Sequence, residues 1–293
     1  MKTMLSAIPG FAGMFAAAAA FAQPAQDFAD VEITTHPVTD DIYYLEGAGG
    51  NVGVLAGPAG VVLIDTQFAP LTERIVAAVS AITDAPIRFV VNTHVHPDHT
   101  GGNENLQLMG YPVVAHDNVR VRMAKGIRGG PPSPAIALPT LTFPDRIGFH
   151  VNQDVRLIKV PPAHTDGDTF IHFVDANVMH LGDVFRTTGY PVIDVDNGGT
   201  AAGTLAALQI AIDLANTDTQ IIPGHGVLSA VGDVQEFRDM IAEVTQRVSG
   251  LLEQDMSLEQ VLAAEPTADL DERWGDPERF LTGLYQSLAA SGP

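Results

Sequence analysis

The segment Thr93-His94-Val95-His96-Pro97-Asp98-His99-Thr100 constrains this chain more than any other stretch. It sets four side chains able to bind metal, His94, His96, Asp98 and His99, within six residues. Packing alone does not call for such a density of imidazole and carboxylate. The segment directly follows Ile87-Arg88-Phe89-Val90-Val91, closed by Asn92-Thr93, which reads as a buried strand. A loop at the carboxyl end of a buried strand is where α/β proteins usually place their sites. In an extended segment His94, His96 and Asp98 alternate and face the same way. Pro97 removes one backbone donor and stiffens the turn. Because the chain has no cysteine, any metal here is held by nitrogen and oxygen alone.

The surrounding pattern is that of a layered α/β protein. Strand signals run over 41–45, 52–56 and 61–64, the last two parted by Gly57-Pro58-Ala59-Gly60. Leu71, Ile75, Val76, Val79 and Ile82 form a helical stripe. Short helices over 103–109 and 117–125 flank a strand at 112–115, and the Gly- and Pro-rich 126–139 is loop. Strands over 147–151, 155–160, 169–174 and 178–181 precede a helix over 200–215 and a strand at 220–222. The tail from about 230 is helical. Val234, Phe237, Ile241, Val244, Val248 and Leu251 make one face of it, Ser257 with Gln260 is a capping box, and Asp276-Pro277 starts the last helix.

The first 22 residues differ from the rest. Lys2, the apolar alanine-rich run and Ala20-Phe21-Ala22 have the layout of a secretory signal peptide cleaved after Ala22. The expected address is therefore periplasmic or secreted. No later segment has the ~18 uninterrupted apolar residues of a spanning helix. The formal net charge of −20 argues against nucleic acid and against an anionic membrane surface, leaving a small molecule as the expected partner. The oligomeric state stays open.

Three later residues share one setting, a strand end beside glycine or proline. They are His164 in Pro161-Pro162-Ala163-His164, Asp183 in Leu181-Gly182-Asp183, and His225 in Pro223-Gly224-His225-Gly226. Each alone is more often a cap or turn residue than a ligand. With the histidine-rich segment they complete, in order, the pattern H-x-H-x-D-H, His, Asp, His. From about Asp41 to Gly226 the chain thereby resembles the metallo-β-lactamase superfamily of binuclear hydrolases. The resemblance implies one hydrolase domain over 23–293, folded as a four-layer αββα sandwich with C-terminal helices and the site along one sheet edge. It further implies two zinc ions per chain. His94, His96 and His164 would take one and Asp98, His99 and His225 the other, with Asp183 bridging; iron or manganese also suits such donors. Asp98 would orient a hydroxide held between the ions. Asp65, closing the strand at 61–64, is either a turn residue or the aspartate that orients the ligand loop.

Substrate is less sharply written. Lactamases that use a cysteine ligand carry it where this chain has Asp183. The pairing of Asp183 with His99 is similar to glyoxalase II, lactonases and phosphodiesterases. Yet Arg238, Arg247, Arg273 and Arg279 match no glutathione-binding pattern. Arg186, three residues past Asp183, stands where lactamases keep a cation for the substrate carboxylate, with a solvated loop charge as the alternative. Asn197, in the loop 194–199, is a candidate amide for the substrate carbonyl. Export adds to the case for β-lactams, which act outside the membrane. The leading expectation is β-lactam hydrolysis of generalist character, ahead of phosphodiester, thioester or lactone hydrolysis. His116 is expected to be structural, and Asp166 with Asp168 to make a turn.

Overall fold

The computed structural model of the protein describes residues 27–291. The leader expected over 1–22 lies outside the described residues. Strands Thr34–Pro37, Ile42–Glu46, Val52–Leu55, Val61–Ile64, Ile87–Val91, Val113–His116 and Leu141–Phe143 (β1–β7) form one sheet in sequence order. Arg146–Val151, Gln153–Lys159, Thr169–Phe173, Val178–His180, Gln220–Ile222 and Ser229–Ala230 (β8–β13) form the second, again in sequence order. The helices are Thr72–Ile82, Pro97–Thr100, Asn103–Leu108, Asp117–Lys125, Ala201–Leu214, Val231–Leu252, Leu258–Ala263, Asp271–Trp274 and Glu278–Ser291 (α1–α9).

Three apolar clusters make the layers. Ile42, Leu55, Ile64 and Val91 of the first sheet meet Leu157, Ile171, Phe173 and Ile222 of the second, so the sheets pack face to face. The other face of the first sheet buries Val54, Leu63 and Val90 against Leu71, Ile75 and Val79 of the α1 region. The other face of the second buries Phe170, Met179 and Ile221 against α5, α6 and α9 through Leu208, Phe237, Val244 and Phe280. This is the four-layer αββα sandwich. Both faces of β3 and β4 are covered, which is why Val52–Leu55 and Val61–Ile64 are apolar throughout rather than alternating.

Strands β4, β5, β6 and β7 run parallel, as do β11 and β12. Parallel neighbours end on the same side, so the residues following β4, β5, β11 and β12 emerge along one edge. Short β1, β7 and β13 lie at sheet edges and were not expected from the sequence. Two to four residues carry no usable period, and pairing with the neighbouring strand is what holds them extended.

The histidine-rich segment departs from the extended geometry expected for it. His96 is extended at φ −63° and ψ 147°, but Pro97 starts the short helix α2. The φ that proline imposes is also that of a first helical turn. Asp98 and His99 therefore leave the alternation of His94 and His96 and face a different set of partners.

Candidate metal centre

Asp65, the residue after β4, organises the segment that follows β5. It adopts φ 65°, a left-handed conformation that a short polar residue tolerates when its side chain is locally bonded. Its Oδ1 accepts from Thr93 N at 2.7 Å, and its Oδ2 accepts from Thr93 Oγ1 and His99 Nδ1, both at 2.7 Å. Asp65 is thus more than a turn residue. It anchors the start of the loop and the His99 ring together. Two glycines let the site close. A Cβ on Gly50 would stand 2.1 Å from His99 Cε1, and one on Gly224 would stand 2.1 Å from Asp183 Oδ1.

All seven predicted ligand positions converge. His94, His96, His164 and Asp183 bring ligand atoms within 4.8 Å of one another, and so do Asp98, His99 and His225. Asp183 stands between the groups. Its Oδ1 is 3.1 Å from His99 Nε2, and its Oδ2 is 3.4 Å from His225 Nε2 and 3.7 Å from His164 Nε2. The Asp98 carboxylate is 3.2 Å from His225 Nε2 and 3.7 Å from His99 Nε2.

Outer hydrogen bonds decide what the inner nitrogens are. His164 Nδ1 faces the Val192 carbonyl at 2.6 Å, so it carries the proton and Nε2 keeps a lone pair. His96 Nε2 faces Asp194 Oδ2 at 2.6 Å, which leaves the lone pair on Nδ1. The single Thr93 hydroxyl proton goes to Asp65, so that oxygen accepts from His94 Nδ1 at 3.0 Å and His94 Nε2 is bare. Burial, with His99 nearby, pushes His94 well below its ordinary pKa, and burial lowers His164 as well. Three bare imidazole nitrogens then meet at 2.8 Å (His164 Nε2 to His96 Nδ1) and 3.2 Å (His94 Nε2 to His96 Nδ1). Lone pairs at that separation repel unless a cation lies among them. Asp183 Oδ1 is buried and accepts no hydrogen bond despite its neighbours. Neutral imidazoles and an unsatisfied carboxylate oxygen are the donor set of a zinc-like ion.

The second group is carboxylate-rich. Burial opposes charge on His99, yet Asp183, Asp65 and Asp98 hold its pKa well above the ordinary histidine value. His225 is raised chiefly by Asp183 against its own burial. Asp98 and Asp183 overcome burial through His99 and His225, and both stay ionised far below the usual carboxylate range. Protons on these rings offset the carboxylates where a cation would otherwise do so, and a metal competes with them directly.

A cleft of ≈ 240 Å³ opens on this cluster, lined by Asp98, His164, Asp183, His225, Arg186 and Arg279 among others. Arg186 lines this cleft, its guanidinium donating to Thr188 Oγ1 at 2.7 and 3.0 Å. Asn197 does not reach it. That side chain is buried, its Nδ2 donates to Asp194 Oδ2 at 2.8 Å, and it supports the carboxylate behind His96 instead of facing a substrate. Asp194, Val192 and Thr93 escaped the sequence reading because each works through a contact that no local pattern encodes. His116 caps α4 by accepting from Asn118 N, and His180 is buried with Nε2 donating to the Asn51 carbonyl. Asp168 closes its turn by accepting from Thr165 N and Oγ1, and burial pushes its carboxyl up to about 7. No helix among the described residues is long and apolar enough to cross a membrane.

Replacing Asp65 with asparagine is expected to weaken zinc binding by about 10- to 100-fold, the usual cost of losing a residue that orients a ligand. A competitive chelator titration measures this, and an unchanged affinity would remove Asp65 from the site.

The family model described as the metallo-beta-lactamase superfamily matches residues 45–225. A 2,4-dinitroanisole O-demethylase subunit alpha from Nocardioides sp. is 25% identical over 167 residues, 55% of this chain and 49% of that protein. A hydroxyacylglutathione hydrolase from Polaromonas sp. is 30% identical over 163 residues, 53% of this chain and 55% of that protein. The chain spans about half the length of these curated relatives. Among solved structures, a metallo-beta-lactamase from Pontibacter korlensis superposes with TM-score 0.63 at 17% identity, covering 72% of this chain and 99% of that one. The FIM-1 metallo-beta-lactamase of Pseudomonas aeruginosa, in its mono-zinc form, gives TM-score 0.61 at 22% identity over 73% of this chain and 96% of that one. At these identities the structural likeness is one of fold.

Proposed function

Because the chain belongs to the metallo-beta-lactamase superfamily, we propose that it is an exported hydrolase working with two zinc ions, whose best substrates are β-lactams within a broad acyl range. The observation that carries this reading is the set of enforced tautomers, which point three bare imidazole nitrogens at one another with the Asp183 carboxylate 3.7 Å from one of them. His94, His96 and His164 are the ligands proposed for one ion and Asp98, His99 and His225 for the other, with Asp183 shared. When bound, the ions supply Lewis acidity and lower the pKa of water to about 7. Asp98, with 27% of its side chain exposed at the cleft wall, accepts a hydrogen bond from the attacking water and orients it. Asp65, Asp194 and the Val192 carbonyl keep the rings in the tautomers that bind. Arg186 offers its guanidinium to the substrate carboxylate.

Zinc-loaded protein is expected to open the ring of a penicillin, cephalosporin or carbapenem faster than it cleaves bis(p-nitrophenyl) phosphate. Loss of lactam absorbance measures the first, nitrophenolate release the second. Absence of ring opening on every lactam would sink the β-lactam assignment. Turnover of a thioester or lactone in its place would support the second reading, for which the relative named hydroxyacylglutathione hydrolase and the oxygen ligand Asp183 both speak. Export adds its own check, since protein recovered from the periplasmic fraction should begin at Gln23 by mass.

A further inference from the structure

His225 sits on a loop that no strand ladder fixes, since β12 ends at Ile222 and β13 begins at Ser229. Two of its residues are glycine, and Gly226 takes φ 101°. A ligand on such a loop is placed only as firmly as the loop backbone is held. Of the four carbonyls of 223–226, that of His225 accepts from Thr187 N at 3.0 Å. The other three go to one distant residue, Asn51. Its backbone N donates to Gly224 O at 2.7 Å, and its Nδ2 donates to Pro223 O at 3.0 Å and to Gly226 O at 2.9 Å. Both protons of the side-chain amide are thus spent on carbonyls that flank His225. Asn51 is buried, so water does not stand in readily for it.

The residue before Asn51 reaches the other members of the same ligand group. Gly50 N donates to Asp98 O at 3.1 Å, and the missing Cβ of Gly50 leaves room for the His99 ring against it. Buried Gln67 fixes this turn, with Nε2 donating to Gly50 O at 2.9 Å and Oε1 accepting from Gly49 N at 3.3 Å. On the other side His180 Nε2 donates to Asn51 O at 3.0 Å, while its Nδ1 accepts from Gly182 N at 3.1 Å, one residue before Asp183. Gly50 and Asn51 therefore join Asp98 and His99, which follow β5 of the first sheet, to His225, which follows β12 of the second. His94, His96 and His164 receive none of these bonds. Without the Asn51 amide, two carbonyls beside His225 lose their donors, and the loop must shift to find others.

We propose that Asn51 is a positioning residue for one metal ion of the pair, its side-chain amide setting His225 within reach of the ligands on the opposite sheet. Its loss loosens the ion of Asp98, His99 and His225 and spares that of His94, His96 and His164. This rests on the two-ion reading above and adds to it the joint that aligns one site across the two sheets.

The test starts from zinc-loaded full-length protein and withdraws metal with a competitive chelator. Wild type is compared with Asn51→Ala, Asn51→Leu and Gln67→Leu. Leucine keeps the size of asparagine without its donors, and both Asn51 variants keep the backbone carbonyl that His180 uses. Val248→Ala, in the core cluster that includes α6, is the destabilised control. Both Asn51 variants are expected to hold one zinc ion about 10- to 100-fold more weakly, the usual cost of losing a residue that orients a ligand, and the other as wild type does. Gln67→Leu should loosen the same ion, and it decides the matter if neither Asn51 variant folds. Val248→Ala should melt earlier yet release both ions as wild type does. Equal weakening of both ions, wild-type release from Asn51→Leu, or the same selective loss in Val248→Ala would overturn the proposal. If the wild type itself retains fewer than two zinc ions, the two-ion reading fails, and amide hydrogen exchange over 223–227 decides the role of Asn51. That exchange should quicken about tenfold in Asn51→Ala, the worth of roughly two neutral hydrogen bonds, and keep the wild-type rate in Val248→Ala. An unchanged rate in Asn51→Ala would remove Asn51 from the joint.

Discussion

Asp183→Asn is expected to lower kcat/KM by about 100- to 1000-fold or more and to leave the protein unable to retain both zinc ions, taking ~3–5 kcal/mol as the cost of removing one partner from a buried charged network. The expectation follows from where its two oxygens stand. One is 3.1 Å from His99 Nε2, while the other faces His225 and His164 at 3.4 and 3.7 Å. An amide keeps the shape but halves the acceptor set and turns an NH2 toward nitrogens that need to donate lone pairs. It also removes the negative charge that both groups of ligands share. The backbone should survive, because Leu181, Val184 and Phe185 are held in the core on either side and do not depend on the carboxylate. Metal analysis, kcat/KM and circular dichroism on the same preparation separate these effects. Two retained equivalents of zinc with activity within a factor of ten would show that Asp183 is not shared.

What the sequence makes legible depends on the range of the interaction involved. Strand β5, helix α4 and strand β12 were legible residue for residue, because an apolar run or a periodic stripe bounded by turn residues is a local signal. The ligand positions were legible only through the order of a family pattern, since His164, Asp183 and His225 look like ordinary strand-end residues in isolation. The extended alternation expected through Asp98 stops at His96, because Pro97 opens a helical turn. Illegible altogether were contacts between distant parts of the chain. Asp194 holds His96 across 98 positions, and nothing around either residue announces the other. Asn197 is instructive for the same reason, because its neighbour Asp194 captures the amide that the loop's sequence seemed to offer to a substrate.

Removing the metal should have the broadest effect of all, on stability as well as on turnover. Dialysis against a chelator is expected to abolish hydrolysis, and zinc should restore it at about two equivalents per chain. The fold itself does not hang on the ions. The core between the sheets, from Ile42 and Ile64 to Leu157 and Phe173, is completely buried and shares no residue with the ligand set. Far-ultraviolet circular dichroism should therefore change little. The melting temperature should fall, because each ion bound at a thousandfold excess over its Kd adds ~4 kcal/mol to the native state. At about 2–4 °C per kcal/mol for a domain of roughly this size, that is on the order of 10 °C per ion. Calorimetric scans of zinc-loaded, chelated and reconstituted samples read the shift directly. An unchanged melting temperature together with full activity after exhaustive chelation would mean that the converging histidines serve some end other than holding metal.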